Sequence, residues 1–96
     1  MHIIFLKFGP NKAQASTYME AHNAWITKGM NEGIFQCVGS LGVGGGFILA
    51  HGESDADIKS RVDLDPFVEH GIVTVEINQV NPKRAVPQLE YLIDDS

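Results

Sequence analysis

An α+β fold of the ferredoxin-like kind, a βαββαβ sandwich whose antiparallel sheet carries two helices on one face, is predicted by three observations. Residues 2–8, 34–40, 47–51 and 72–80 are short runs dense in β-branched and aromatic side chains. Residues 12–31 and 54–63 carry apolar side chains at helical spacing, and the two kinds of segment alternate in the order strand, helix, strand, strand, helix, strand. Apolar residues also sit on both faces of the first two strands, so a sheet with helices on one side leaves a second face to be covered.

The first strand, HIIFLKF, stops at Gly9-Pro10, and Asn11 is placed to cap a helix with Gln14 at the capping-box position. Tyr18, His22, Trp25 and Ile26 share one side of that helix, which runs to Asn31 and ends at Gly33 in a left-handed conformation. In the second strand, strict alternation groups Ile34 and Val38 on one face against Phe35 and Cys37 on the other, with Cys37 a small buried apolar residue. Leu41 to Gly46 joins strands two and three as a hairpin. Ser54 followed by Asp57 starts a short second helix that buries Ile58 and Val62, and Asp65 before Pro66 is a good cap for one further helical turn. In the last strand Val73, Val75 and Ile77 face the core while Thr74, Glu76 and Asn78 form a wetter side. The core therefore covers residues 2–80 of a single 1–96 domain, and residues 81–96 form a C-terminal arm. Pro82 and Pro87 break that arm, Leu89 to Ile93 can form a short helix or cross to a partner, and Asp94-Asp95-Ser96 is an acidic end.

A chain of 96 residues buries only about two-thirds of its unfolded surface, which favours a core shared between subunits. The open sheet face makes a sheet-on-sheet homodimer the expected assembly. Twelve acidic against seven basic residues, a net charge of −5, disfavour nucleic acid and anionic membranes. The apolar start is interrupted at Lys7, so neither a signal peptide nor a membrane span is expected and the cytoplasm is the default compartment. One cysteine, no metal-ligand spacing among the histidines and acids, and a glycine run without the Lys-Ser/Thr of a phosphate loop leave no expected metal or cofactor.

Four pieces of this sequence resemble the YciI-like, or YCII-related, family of dimeric α+β barrel proteins. They are His22-Asn23-Ala24-Trp25, Gly33-Ile34-Phe35 leading into Gly39-Ser40-Leu41, Gly45-Gly46 before the third strand, and Asp65-Pro66-Phe67-Val68. The resemblance implies a ferredoxin-like dimer whose pocket holds a His–Asp pair, carried here by His22 and Asp65. Relatives of this kind are linked to removal of halide from ring compounds and resemble muconolactone isomerases in fold, which implies proton transfer on a small organic molecule. Many members carry an arginine one turn before the histidine, where this chain has Met19; if that arginine binds an anionic substrate, the departure implies a different or less charged ligand.

The chemistry of the residues is compatible with that reading. A neutral imidazole accepts a proton near physiological pH, and a carboxylate on its other nitrogen fixes the tautomer and stabilises the cation formed. His22 and Asp65 are thus expected within about 2.6 to 3.2 Å of each other at a pocket wall. Ser40 is a candidate for ligand contact or an ordinary turn hydroxyl. Trp25 and Tyr18 line the pocket or pack in the core, and His51 sits at the pocket mouth or in solvent. His70, before Gly71, is read as a solvent-facing helix end. The competing function is a non-catalytic ligand-binding or accessory dimer, in which His22 and Asp65 form a structural hydrogen bond.

Overall fold

Strands β1 (His2–Phe8), β2 (Phe35–Ser40), β3 (Gly46–Ala50) and β4 (Val73–Gln79) form one sheet in the order β2-β3-β1-β4. Every neighbouring pair is antiparallel. With helices α1 (Ala15–Asn31), α2 (Asp55–Asp63) and the single turn α3 (Pro66–Glu69), this is the expected ferredoxin-like arrangement. The computed structural model describes residues 1–93; the acidic Asp94-Asp95-Ser96 end lies outside the described residues.

The core lies between the sheet and the helices. Ile4 and Leu6 of β1 and Ile48 and Ala50 of β3 are at most 3 % exposed and meet Ile58 and Val62 of α2 and Phe67 of α3. Their alternate neighbours Ile3, Phe5, Phe47 and Leu49, paired directly across β1 and β3, make the other face and are only partly buried. That face turns polar toward the β4 edge, where Lys7 bonds Glu76 at 3.2 Å.

The helix ends explain how the site is held. Gly33 has φ 77°, and Gly33 N–H and Ile34 N–H close the last turn of α1 on the carbonyls of Met30 and Gly29. Gly29 lies against the Phe35 ring, where a Cβ would clash; glycine there lets the helix approach β2. Ser54 Oγ accepts from Asp57 N–H at 3.1 Å and starts α2, with Asp55 and Asp57 favourably placed in its first turn.

Several details depart from the sequence-based expectation. The capping box at Asn11 does not form. Residues Lys12–Gln14 make a 3-10 turn, α1 begins at Ala15, and the Asn11 amide donates to the His70 carbonyl at 2.8 Å. The capping side chain is thus engaged in tying the β1–α1 loop to the end of α3. In β2 the pairing shifts between Phe35 and Cys37, because Phe35 opposes Ala50 and Cys37 opposes Leu49. Gln36 is the extra residue of a β-bulge, so Phe35 and Val38 face the helices together and Cys37 lies exposed on the other side. Strict alternation therefore misassigned Phe35, Val38 and Cys37. The arm folds back on its own chain: Pro87–Leu92 is a 3-10 helix, Tyr91 donates to Gln36 Oε1 at 2.7 Å, and Leu92 is buried.

Candidate acid–base site

His22 and Gly29 are the buried residues of α1. Asp65 is fully buried at the N-cap of α3, where its extended backbone precedes Pro66 at the first helical position. The two meet across 43 residues of sequence with His22 Nδ1 2.7 Å from Asp65 Oδ1. A carboxylate only accepts, so the ring donates Nδ1–H and its lone pair lies on Nε2. Oδ1 also accepts from Phe67 N–H at 3.0 Å. One oxygen thus performs both roles weighed for Asp65, capping the turn and holding the histidine. Oδ2 is buried with no partner among the described residues.

The ring is clamped flat as well as hydrogen-bonded. Phe67 stacks on it, centroids 4.0 Å apart and planes 3° from parallel, and Trp25 is 6.0 Å away. Nε2 has no protein partner among the described residues and is not sealed off. His22 borders a cavity of about 340 Å³ between α1 and the β2–β3 hairpin. Its walls are apolar at Leu6, Phe8, Ile26, Val38 and Phe47, and backbone-lined at Gly39, Gly45 and Gly46. Asn23 and Ser40 supply neutral polar groups, Met19 also lines the space, and among the described residues no Lys, Arg, Asp or Glu side chain does.

Gly45 explains how the hairpin closes over this cavity. At φ 94° its Cα lies against the Leu6 carbonyl, where a side chain would collide with backbone. Leu41 N–H to the Gly45 carbonyl and Gly44 N–H to the Leu41 carbonyl hold the loop at 3.0 and 2.9 Å. The glycine run is therefore a formed turn at the cavity wall.

Of the other residues singled out in the sequence, Ser40 lines the cavity but makes no bond to His22 among the described residues. Trp25 donates Nε1–H to the Arg61 carbonyl at 3.0 Å and packs edge-on against Phe35, 5.0 Å away, so it buttresses the pair from behind. Tyr18 stacks on His70 at 3.9 Å outside the cavity; the ring of His70 is thereby engaged, where the sequence suggested plain solvent exposure. His51 lies at the other end of the sheet, beside Tyr91, and not at the mouth of the His22 cavity. Met19, Asn23 and Ile26 are cavity residues of α1 that the sequence reading did not single out as ligand contacts, although it placed Ile26 on the His22 face and noted Met19 in place of an arginine. Their spacing around His22 was the available signal: positions 19, 22, 23 and 26 share one helical stripe, adjoining that of Tyr18 and Trp25.

Among the described residues no group of three or more His, Cys, Asp or Glu side chains is arranged to hold a metal ion, and no helix is long and apolar enough to cross a membrane.

No family model matches this chain, and no curated protein sequence does. Among solved structures the chain is similar to 5-chloro-2-hydroxyhydroquinone dehydrochlorinase (TftG) from Burkholderia phenoliruptrix AC1100, in complex with 2,5-dihydroxybenzoquinone. The TM-score is 0.67 at 19% identity, covering 83% of this chain and 93% of that one. The likeness establishes the fold, a four-stranded antiparallel sheet packed against helices.

Proposed function

We propose that this chain is a YciI-like enzyme in which His22 acts as general acid/base on a small ring compound, by isomerisation, hydrolysis or elimination. The observation that carries the reading is the division of labour on one imidazole. Nδ1 is committed to Asp65, while Nε2 is unpartnered beside an apolar cavity of about 340 Å³. A proton taken from substrate by Nε2 leaves an imidazolium in contact with a buried carboxylate. In an elimination from a chlorinated hydroquinone, an O–H proton is removed and one is delivered to the C–Cl carbon, giving the keto tautomer; removal of a second O–H proton then expels chloride with the C–Cl electron pair, so a quinone forms and one proton and one chloride are released net. The fold shared with a dehydrochlorinase supports this class of chemistry, and the uncharged walls favour a neutral aromatic substrate.

A second reading, a structural bond in a ligand-binding dimer, draws on Asp65 Oδ1, which fastens α1 to α3 and caps α3 at once. His22→Asn separates the two readings. The Asn amide reproduces the Nδ1–H donor to Asp65 and removes Nε2. Chloride release from 5-chloro-2-hydroxyhydroquinone, followed with a chloride electrode, should be catalysed by the wild type and fall about 10²- to 10⁴-fold in His22→Asn. Release that survives in His22→Asn would sink the catalytic role. Binding of 2,5-dihydroxybenzoquinone without turnover would favour the ligand-binding dimer.

The proposed assembly is a homodimer through Ile3, Phe5, Phe47 and Leu49, whose rows of partly open side chains suit a second sheet. Light scattering should give twice the chain mass, and Phe47→Asp should give a monomer. A wild-type monomer at working concentration would overturn this assembly.

A further inference from the structure

A second His–Asp pair stands at the opposite end of the sheet. His2 is on the core-facing row of β1 with Ile4 and Leu6, is 4 % exposed, and its Nε2 lies 2.6 Å from Asp55 Oδ1 at the start of α2. Because the carboxylate is the acceptor, Nε2 carries hydrogen and the neutral ring keeps a lone pair on Nδ1. Nδ1 is buried and has no partner among the described residues. A polar ring in a hydrophobic row with one nitrogen left unpaired is what a settled core avoids.

The pair borders a second cavity, about 650 Å³, and the groups around it share one preference. Among the described residues its acidic side chains are Glu53 and Asp55, and no Lys or Arg side chain lines it. Arg61 already engages both Glu53 oxygens, at 2.7 and 3.0 Å. Asp55, whose side chain is 74% exposed, keeps Oδ2 unengaged among the described residues. Tyr91 and His51 stand edge to face at 5.6 Å on the same wall, which offers an aromatic face. A carboxylate and an aromatic ring on one cavity are the two elements that recognise an ammonium group, the first by charge-assisted hydrogen bonds and the second by cation–π attraction. The net charge of −5 has the same sign of preference. An anion would meet two carboxylates, and a metal ion lacks a third ligand.

We propose that this cavity binds a small organic ammonium ion between the Asp55 carboxylate and the Tyr91 ring. The site stands apart from the His22 chemistry and does not depend on it. Titrating the full-length, nitrogen-15-labelled protein with cyclohexylammonium chloride, against cyclohexanol as the neutral match, tests it by amide shifts. Saturable shifts at Gly52, Asp55 and Gln79 are expected with the ammonium and not with the alcohol. Asp55→Asn, an exposed and fold-neutral change, should weaken binding about tenfold or more, and Tyr91→Leu should weaken it less. His22→Asn should leave the titration unchanged. No saturable shift, equal shifts with cyclohexanol, shifts confined to the His22 cavity, or wild-type affinity in Asp55→Asn would each overturn the proposal.

Discussion

His22–Asp65 and His2–Asp55 have the same atoms at nearly the same distance, 2.7 and 2.6 Å, and opposite surroundings. In the first pair the carboxylate is buried at 0% exposure and the histidine meets the cavity; in the second the histidine is buried and the carboxylate is 74% exposed. What differs is which partner the fold has taken from water. A buried aspartate has nowhere else to find donors, so it fixes the ring and leaves the other nitrogen free to react. An exposed aspartate remains solvated and free to turn to a ligand. Distance alone would have ranked the two pairs as equals, while the difference in burial is what the two proposals, proton transfer at one pair and charge recognition at the other, are built on.

The largest effect that tests this contrast is on stability. Asp65→Ala removes the α3 cap and leaves the His22 N–H buried without a partner, and should cost about 3 kcal/mol in urea unfolding. Asp55→Ala should cost about 1 kcal/mol or less, because water replaces an exposed acceptor. Equal losses would break the comparison. Asp65→Asn sharpens it, since its amide oxygen keeps both the cap and the acceptor for Nδ1–H; a loss of about 1 kcal/mol is expected. If Asp65→Asn matched Asp65→Ala, the charge and not the hydrogen bonds would be what holds α3 to α1.

The unequal legibility of the two pairs has a physical cause. His22 and Asp65 were readable because each stands on a local signal, a helical stripe for one and an Asp-Pro cap for the other. Asp55 and His2 have no such signal joining them. His2 was read as one residue of a β-run, although the period of two places it with Ile4 and Leu6 on the buried row. Its partner is set by where α2 begins relative to β1, a tertiary fact. The Gln36 bulge was hidden for the same reason, since an extra residue shows only against its opposing strand. Asn11 looked like a cap by composition, and only the proximity of His70 to it reveals the competing acceptor. The succession strand, helix, strand, strand, helix, strand was legible throughout, because it rests on periodicity and turn residues that need no long-range information.

A gentler perturbation separates the two ends by pH. Arg61 links Glu53, beside the second cavity, to Glu32 on the far side, and its side chain and that of Glu53 are 18% and 19% exposed. Hydrogen bonding from Arg61 holds the Glu53 carboxyl below its ordinary value, opposed by partial burial and aided by the Arg61 charge. A carboxyl lowered on folding contributes stability that is fully present above its unfolded value, about 4.3, and is lost as pH falls through the lowered folded value. The contribution is about 1 kcal/mol, since the pair is near the surface and screened by salt. Wild type should therefore be more stable than Glu53→Gln at pH about 6, and the two urea midpoints should converge toward pH about 3. A gap that stays constant across that range would mean that Glu53 acts through packing against Arg61 and not through its charge. A gap that widens on acidification would reverse the sign, and with it the account of how Arg61 leaves Asp55 as the free carboxylate of the second cavity.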